Sequence, residues 1–325
     1  MDTRTAGGTG LALALVSAAT FGTSGSFAAS LIEAGWTPGS AVTARVLTAA
    51  VLLTLPALLR LRGGLALLRR SGRTLTAYGI LGVAGAQLCF FMAIEHLSVG
   101  VALLLEYSGV LLVVGYLWAF RGQRPGRLTV AGAVAAVAGL GLVLELIGNT
   151  QIAPVGVLWG LGAAVGLATY FVVAADTEEA LPPLVVAWGG LVIGGTVLAV
   201  AGVVGVLPLA APRAEVTLLD AEVSWLVPVL GLAVVAAAIA YVTGIVGARL
   251  LGAKLASFVG LTEVLFAVVF AWVLLGQSLG PQQLAGAVLV LGGITLVRVD
   301  ELRSVDLQPV LTPEEHVVTA QSAPP

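Results

Sequence analysis

The chain has 325 residues, 59% of them hydrophobic and only 10% charged, with a formal net charge of -2 and a mean hydropathy of +1.07. A soluble domain carries about 25% charged residues, so this composition cannot cover a water-facing surface and implies an integral membrane protein. The acidic balance removes the electrostatic case for nucleic acid, which needs a basic face to release counterions, and the lone cysteine, Cys89, excludes an internal disulfide.

A helix crosses the hydrocarbon with about 20 apolar residues. On that rule the sequence predicts ten spans, at 10–32, 39–59, 74–94, 98–120, 128–147, 154–175, 183–206, 224–246, 254–275 and 282–299. Arg4 ahead of an apolar run with Ala28 and Ala29 has the outline of a signal peptide, but the run is too long and more spans follow, so it reads as the first transmembrane helix. The breaks carry turn chemistry: Gly35 to Pro38, Arg62 to Gly64, Gly122 to Gly126, Gly148-Asn149, Pro182-Pro183, Pro208 to Pro212 and Gly280-Pro281. The longest loop, 207–223, holds Arg213, Glu215, Asp220 and Glu222, and Asp176, Glu178 and Glu179 read as a solvated turn. The tail, 300–325, is rich in proline and acidic residues and is expected to be disordered on the cytoplasmic side. Glycines four apart, at 156 and 160, 162 and 166, and 190 and 194, let helices approach closely. Arginine outnumbers lysine fourteen to one, which with the Ala, Gly and Val content points to a GC-rich bacterial genome.

Lys and Arg placement sets orientation. With a cytoplasmic N-terminus, 13 of the 15 basic residues fall in cytoplasmic segments; only Arg213 lies outside and Arg45 lies within a span, so both termini are expected inside. The stretch Leu97 to Val143 recurs 154 residues later as Leu251 to Val297: Trp118 meets Trp272, Gly122-Gln123 meets Gly276-Gln277, and Ala131 to Val134 meets Ala285 to Val288. Five helices per copy is an odd number, so the second copy enters from the opposite side. Arg121, Arg124 and Arg127 accordingly align with the uncharged Leu275, Ser278 and Pro281. The expected fold is therefore all-α, ten transmembrane helices in two inverted five-helix repeats, 10–147 and 154–299, an architecture of alternating-access carriers with the site at the repeat interface.

These residues resemble the EamA transporters of the drug/metabolite transporter superfamily over about residues 10 to 299. Gly260 to Phe266 with Trp272 and Leu275-Gly276-Gln277, then Leu284 to Leu289 and Gly292-Gly293, look like the family's Leu-Glu-Pro, Leu-Gly-Glu and Gly-Ala-Leu-Ile-Leu-Gly-Gly signatures. Leu105 to Val110 resembles its Leu-Glu-Tyr-Thr-x-Pro, and Arg45 matches the arginine usual in the second helix. Val110 and Val264 stand where the family usually has proline, so both spans are expected to be straighter, and Gln123 and Gln277 stand where it often has glutamate. The resemblance implies small-solute transport and leaves the substrate open among amino acids, drugs and other metabolites.

Three ionisable residues sit well inside the spans: Arg45, Glu106 and Glu263. Each is costly in hydrocarbon, so each wants a partner or a water-filled cavity. Arg45 and Glu106 lie about 10 and 12 Å from the external ends of their helices at 1.5 Å per residue, close enough in depth to pair. One reading has Arg45 bind an anionic group while Glu106 exchanges a proton; the other is a structural ion pair or a snorkelling arginine. Glu263 reads as a midmembrane proton or amine site, or as a protonated packing residue. Thr23, Gln87, Tyr107, Trp159, Tyr170, Tyr241 and Thr262 are the candidates to line a cavity around these three, with a hydroxyl bonded to its own helix the plainer reading for each Thr. His96 and His316 have no ligand spacing, and no P-loop or zincin helix appears, so neither metal, cofactor nor enzyme activity is expected.

The expected function is a secondary transporter of the bacterial plasma membrane, exporting small metabolites such as amino acids by alternating access, with proton exchange through Glu263 or Glu106. The alternatives are multidrug or weak-base efflux, and a lipid-intermediate flippase, for which Arg45 alone is thin phosphate-binding capacity. Oligomeric state is not legible.

Overall fold

The computed structural model describes residues 3–61, 68–97, 99–143, 153–176, 181–218, 221–275 and 280–306. The turns expected at Arg62 to Gly64 and Gly148-Asn149, the side chains of Glu178 and Glu179, the Gly276-Gln277 pair and the tail from 307 lie outside these residues. Nine described helices are long and apolar enough to cross a membrane: α1 (Gly7–Glu33), α2 (Pro38–Arg60), α3 (Gly72–Ile94), α4 (Val101–Arg121), α6 (Pro154–Ala175), α7 (Pro183–Val203), α8 (Leu226–Leu251), α9 (Ala253–Phe270) and α10 (Pro281–Arg303). Between them α5 (Arg127–Val143) is apolar but shorter, and the residues that would lengthen it lie outside the described set.

The helix ends follow the local chemistry. Proline opens α2, α6, α7 and α10, where a missing N–H costs nothing. Thr37 caps α2, its side chain accepting from the Ser40 N–H at 3.3 Å. Gly122 stops α4 in the left-handed region at φ +67°, a conformation a Cβ disfavours. Helical structure continues in α10 through Asp306, past the expected end at 299, because Asp300 and Glu301 find partners: the Thr129 hydroxyl donates to Asp300, and Lys254 Nζ pairs with Glu301 at 2.6 Å.

Several spans are not uniform α-helix. Wider π-helical turns occupy Tyr78–Gly85 of α3 and Gly231–Ile239 of α8, almost the same place after the 154-residue offset. The α-helical pattern also breaks at Ser108 in α4 and Leu261 in α9, one residue from the same offset. Straighter spans are expected here because valine replaces proline; the α-helical pattern is interrupted nevertheless, and a hydroxyl bonds back to the chain beside each break. Ser108 Oγ donates back to the Leu105 carbonyl and Thr262 Oγ1 to the Val259 carbonyl at 2.7 Å, which tightens the turn.

The helices interlock across the midpoint of the chain. α1 packs on α8 and α9, and α6 packs correspondingly on α3 and α4; α2 packs on α7, and α5 on α10. Exchanging each helix with the one five places later leaves this pattern unchanged. In the α5–α10 pair, a Cβ on Gly132 would meet the Gly293 carbonyl at 2.6 Å and one on Gly139 the Gly286 carbonyl at 2.7 Å, so the two helices run antiparallel in near backbone contact. The three glycine pairs are used for the same purpose. Gly156 and Gly160 admit Leu97 and Leu105, Gly162 and Gly166 admit Cys89 and Ala86, and Gly190 and Gly194 admit Tyr78 and Val83.

One end of the bundle carries a feature outside the expected all-α class: an antiparallel hairpin of β1 (Glu215–Leu218) and β2 (Ala221–Ser224), with Val216 opposite Val223. It covers a small apolar cluster of Leu31, Trp36, Ala41, Val229 and Leu232 through the buried Val216. The Trp36 indole donates to the Pro212 carbonyl at 2.9 Å and lies 5.8 Å from the Trp225 ring. The opposite end is knitted by charge: Arg121 lies 3.9 Å from Asp176, Lys254 holds Glu301, and Arg249 donates to the Leu181 carbonyl at 2.9 Å.

Candidate functional site

A cavity of about 420 Å³ lies inside the bundle, lined from α1, α2, α3, α4, α6, α8 and α9. It starts at the hairpin end, beside Ile32, Pro38 and Ile94, and ends at Tyr170, Tyr241 and Ala14. Arg45, Glu106 and Glu263 all line it, so both halves of the chain contribute charge to one space. Its walls are otherwise mostly apolar, with Phe21, Phe90, Phe91 and Phe171 beside the tyrosines and small residues between them.

Arg45 is 5% exposed and firmly placed. Its Nη1 donates to Ser24 Oγ at 2.8 Å, and its guanidinium carbon sits 5.7 Å from the centre of the Phe21 ring, within cation–π range. The Tyr241 hydroxyl faces the same guanidinium. Ser24 is presented there where α1 is interrupted: Thr23 turns its own hydroxyl onto the Thr20 carbonyl at 2.7 Å, and the helix restarts at Ser24. The Nε of Arg45 is buried without a hydrogen-bond partner, which leaves one donor of the fork uncommitted.

Glu106 stands two residues before the break in α4 and Glu263 two residues after the break in α9, so each carboxyl flanks an interrupted turn. The Tyr107 hydroxyl lies against the Glu263 carboxyl. Among the described residues no ion pair joins Arg45 to either carboxylate; the close pairing thought open for Arg45 and Glu106 is absent, and the guanidinium is held by Ser24 and aromatic faces instead. A buried guanidinium that is hydrogen-bonded to a neutral group and forms no ion pair keeps its charge available to something entering the cavity.

Seven of the ten residues singled out from the sequence meet in this cavity: Arg45, Gln87, Glu106, Tyr107, Tyr170, Tyr241 and Glu263. Thr23, Trp159 and Thr262 do not line it. The two threonines donate to carbonyls of their own helices, a short side chain's nearest acceptor, and Trp159 sits half-buried near the start of α6, away from the lining. Sequence reasoning missed Ser17 and the four phenylalanines. The signal was present in the spacing, since Ala14, Ser17, Phe21 and Ser24 recur at helical intervals on one face of α1.

The profile of the EamA-like transporter family matches residues 8–145 and again 154–299. A protein of Salmonella typhimurium described as the uncharacterized inner membrane transporter YicL is 24% identical over 238 residues, covering 72% of this chain and 76% of its own length. A protein of known crystal structure superposes with a TM-score of 0.73 at 20% identity, over 89% of this chain and 97% of its own, a likeness of fold alone.

Proposed function

The chain belongs to the EamA-like transporter family and is a multi-pass membrane transporter; from that premise we propose that it is a secondary transporter exporting small zwitterionic metabolites such as amino acids by alternating access, with proton exchange through Glu263 or Glu106. The observation that carries the reading is the meeting of Arg45, Glu106 and Glu263 in one cavity drawn from both halves of the chain. Arg45 offers a fixed positive charge to a carboxylate, and two acidic side chains offer places for an ammonium group or a proton. A carboxyl group that moves between a wet and a dry setting avoids carrying a bare charge by exchanging a proton.

The wider arrangement supports the transport cycle. Repeats at 10–147 and 154–299 in inverted orientation, completing ten spans with α5, account for the antiparallel α5–α10 pair and for the neighbour pattern that survives exchange of the halves. The cavity reaches the hairpin end, whereas the other end is tied by Arg121–Asp176 and Lys254–Glu301. With the basic end cytoplasmic, both termini lie inside, the tail 307–325 is cytoplasmic, and the cavity faces outward across the plasma membrane of a bacterium. A second reading, efflux of weak organic bases, is favoured by the excess of two carboxylates over one guanidinium among the lining residues.

Proteoliposomes carrying a pH dye inside test both. Amino acids and then cationic drugs are added outside, with Glu263→Gln and Glu106→Gln in parallel. Proton movement driven by amino acids and lost in Glu263→Gln supports the proposal. Proton movement driven only by the drugs selects the second reading, and labelled solute crossing with no proton movement removes the coupling while leaving a carrier.

A further inference from the structure

The flank of the bundle holds a groove that the transport chemistry does not use. It has a volume of about 490 Å³ and lies between the second half of α4 and α5, with Leu111 and Val114 on one side and Thr129, Ala133, Val134 and Ala138 on the other. Its two walls pack elsewhere: Gly109–Arg121 lies on α6 and the start of α9, and α5 lies on α10. Apart from Thr129, whose hydroxyl is turned onto Asp300, the lining is aliphatic. Val134 is 66% exposed and Leu111 41%, so the groove opens to the hydrocarbon of the membrane.

Depth and charge say what fills it. Thr129 to Ala138 spans about 14 Å at 1.5 Å per residue, half of a hydrocarbon core about 30 Å thick, which is the reach of an acyl chain in one leaflet. The groove begins at the basic end, because Thr129 stands two residues inside a helix that opens at Arg127. The turn joining the two walls carries Arg121, Arg124 and Arg127, and it is tight: Gly122 is left-handed and the Gln123 N–H donates to the Leu117 carbonyl at 3.0 Å. The acids Asp176, Asp300 and Glu301 at this end are engaged by Arg121, Thr129 and Lys254. Arg124 and Arg127 are exposed, and no ion pair among the described residues joins either to an acid. Orientation in the membrane accounts for basic residues at this end, but not for an apolar groove leading away from them. We propose that the α4–α5 groove binds an acyl chain of an anionic phospholipid, whose headgroup phosphate lies against Arg124 and Arg127. The site is independent of what the central cavity carries. It belongs to the first copy alone, since Ser278 and Pro281 stand at the matching positions of the second.

The test is lipid binding by the purified full chain in detergent, with dioleoyl phosphatidylglycerol and dioleoyl phosphatidylcholine offered together in equal amounts and bound lipid counted by native mass spectrometry. The wild-type protein is expected to hold phosphatidylglycerol as its first lipid about ten-fold more often than phosphatidylcholine, the scale of two arginines against an anionic headgroup. Arg124→Gln combined with Arg127→Gln brings that ratio to about one. Val134→Phe puts a ring into the groove and lowers phosphatidylglycerol occupancy with both arginines in place. Arg70→Gln, the same loss of charge at an exposed position just ahead of α3, leaves the ratio unchanged. A wild-type ratio near one, a ratio that survives the double substitution, or one that falls equally in Arg70→Gln overturns the site. Undiminished phosphatidylglycerol binding in Val134→Phe also overturns it, since the arginines would then act without the groove. So does a dimer that Val134→Phe splits, which would seat a second copy of the chain there. Should Val134→Phe fail to fold, the double substitution decides alone.

Discussion

Arg45 shows how much a single side chain depends on its fixings. Its charge is held by one neutral hydroxyl, one aromatic face and one phenol, and a lysine would keep the charge but neither the planar fork nor the ring contact. Arg45→Lys is therefore expected to raise KM for anion-headed substrates about ten-fold, the worth of one hydrogen bond to a charged group. Transport kinetics over a range of substrate concentrations check it; an unchanged KM would place the substrate elsewhere. At this scale the rare residues were legible, because an arginine or glutamate in an apolar span has little reason to be there except function. The hydroxyl residues were not: a threonine bonded to its own helix and a serine facing a cavity look identical in sequence, and Thr23, Thr262 and Ser17 were sorted only by which way each side chain turns.

The α5–α10 pair makes the same point for elements. Gly139 and Gly286 sit in the contact, where an added methyl meets backbone at 2.7 and 2.6 Å, while Gly141 and Gly292 on the same helices have nothing within 4 Å. Leucine at 139 or 286 is expected to lower stability by about 2 kcal/mol, the scale of overpacking at a close contact. Alanine at 141 or 292 should instead stabilise by about 0.5 kcal/mol, since glycine is a poor helix former. Thermal unfolding of the purified protein in detergent separates the two sets; equal losses in all four would mean that the pair is not the contact described. Helix positions were readable from apolar run length, but the π-helical turns at Tyr78–Gly85 and Gly231–Ile239 were not. Neither segment contains proline, and an apolar run reads the same whether its turns close i→i+4 or i→i+5.

For the molecule as a whole, the ends of the bundle differ in charge and in openness. In a background where the lone Cys89 is replaced by alanine, Arg213→Cys is expected to react with a membrane-impermeant maleimide on intact cells, and Arg121→Cys only after the cells are opened. The reverse result would turn the protein over in the membrane and make the cavity inward-facing. What the sequence determined by itself was the class of the molecule. Composition required a membrane, run length placed the helices, the 154-residue recurrence exposed the duplication, and three charges in apolar spans pointed to the residues that line one cavity. Those signals survive without coordinates because they come from transfer free energies that each residue carries alone. It took the packing of the helices to show that Arg45 contacts Ser24 and Phe21 rather than Glu106, and that the loop after α7 closes into a hairpin. The first of these depends on the rotation of one helix about its axis against another, which in a chain apolar on every face is set by packing of glycines and aromatics and not by any periodic pattern.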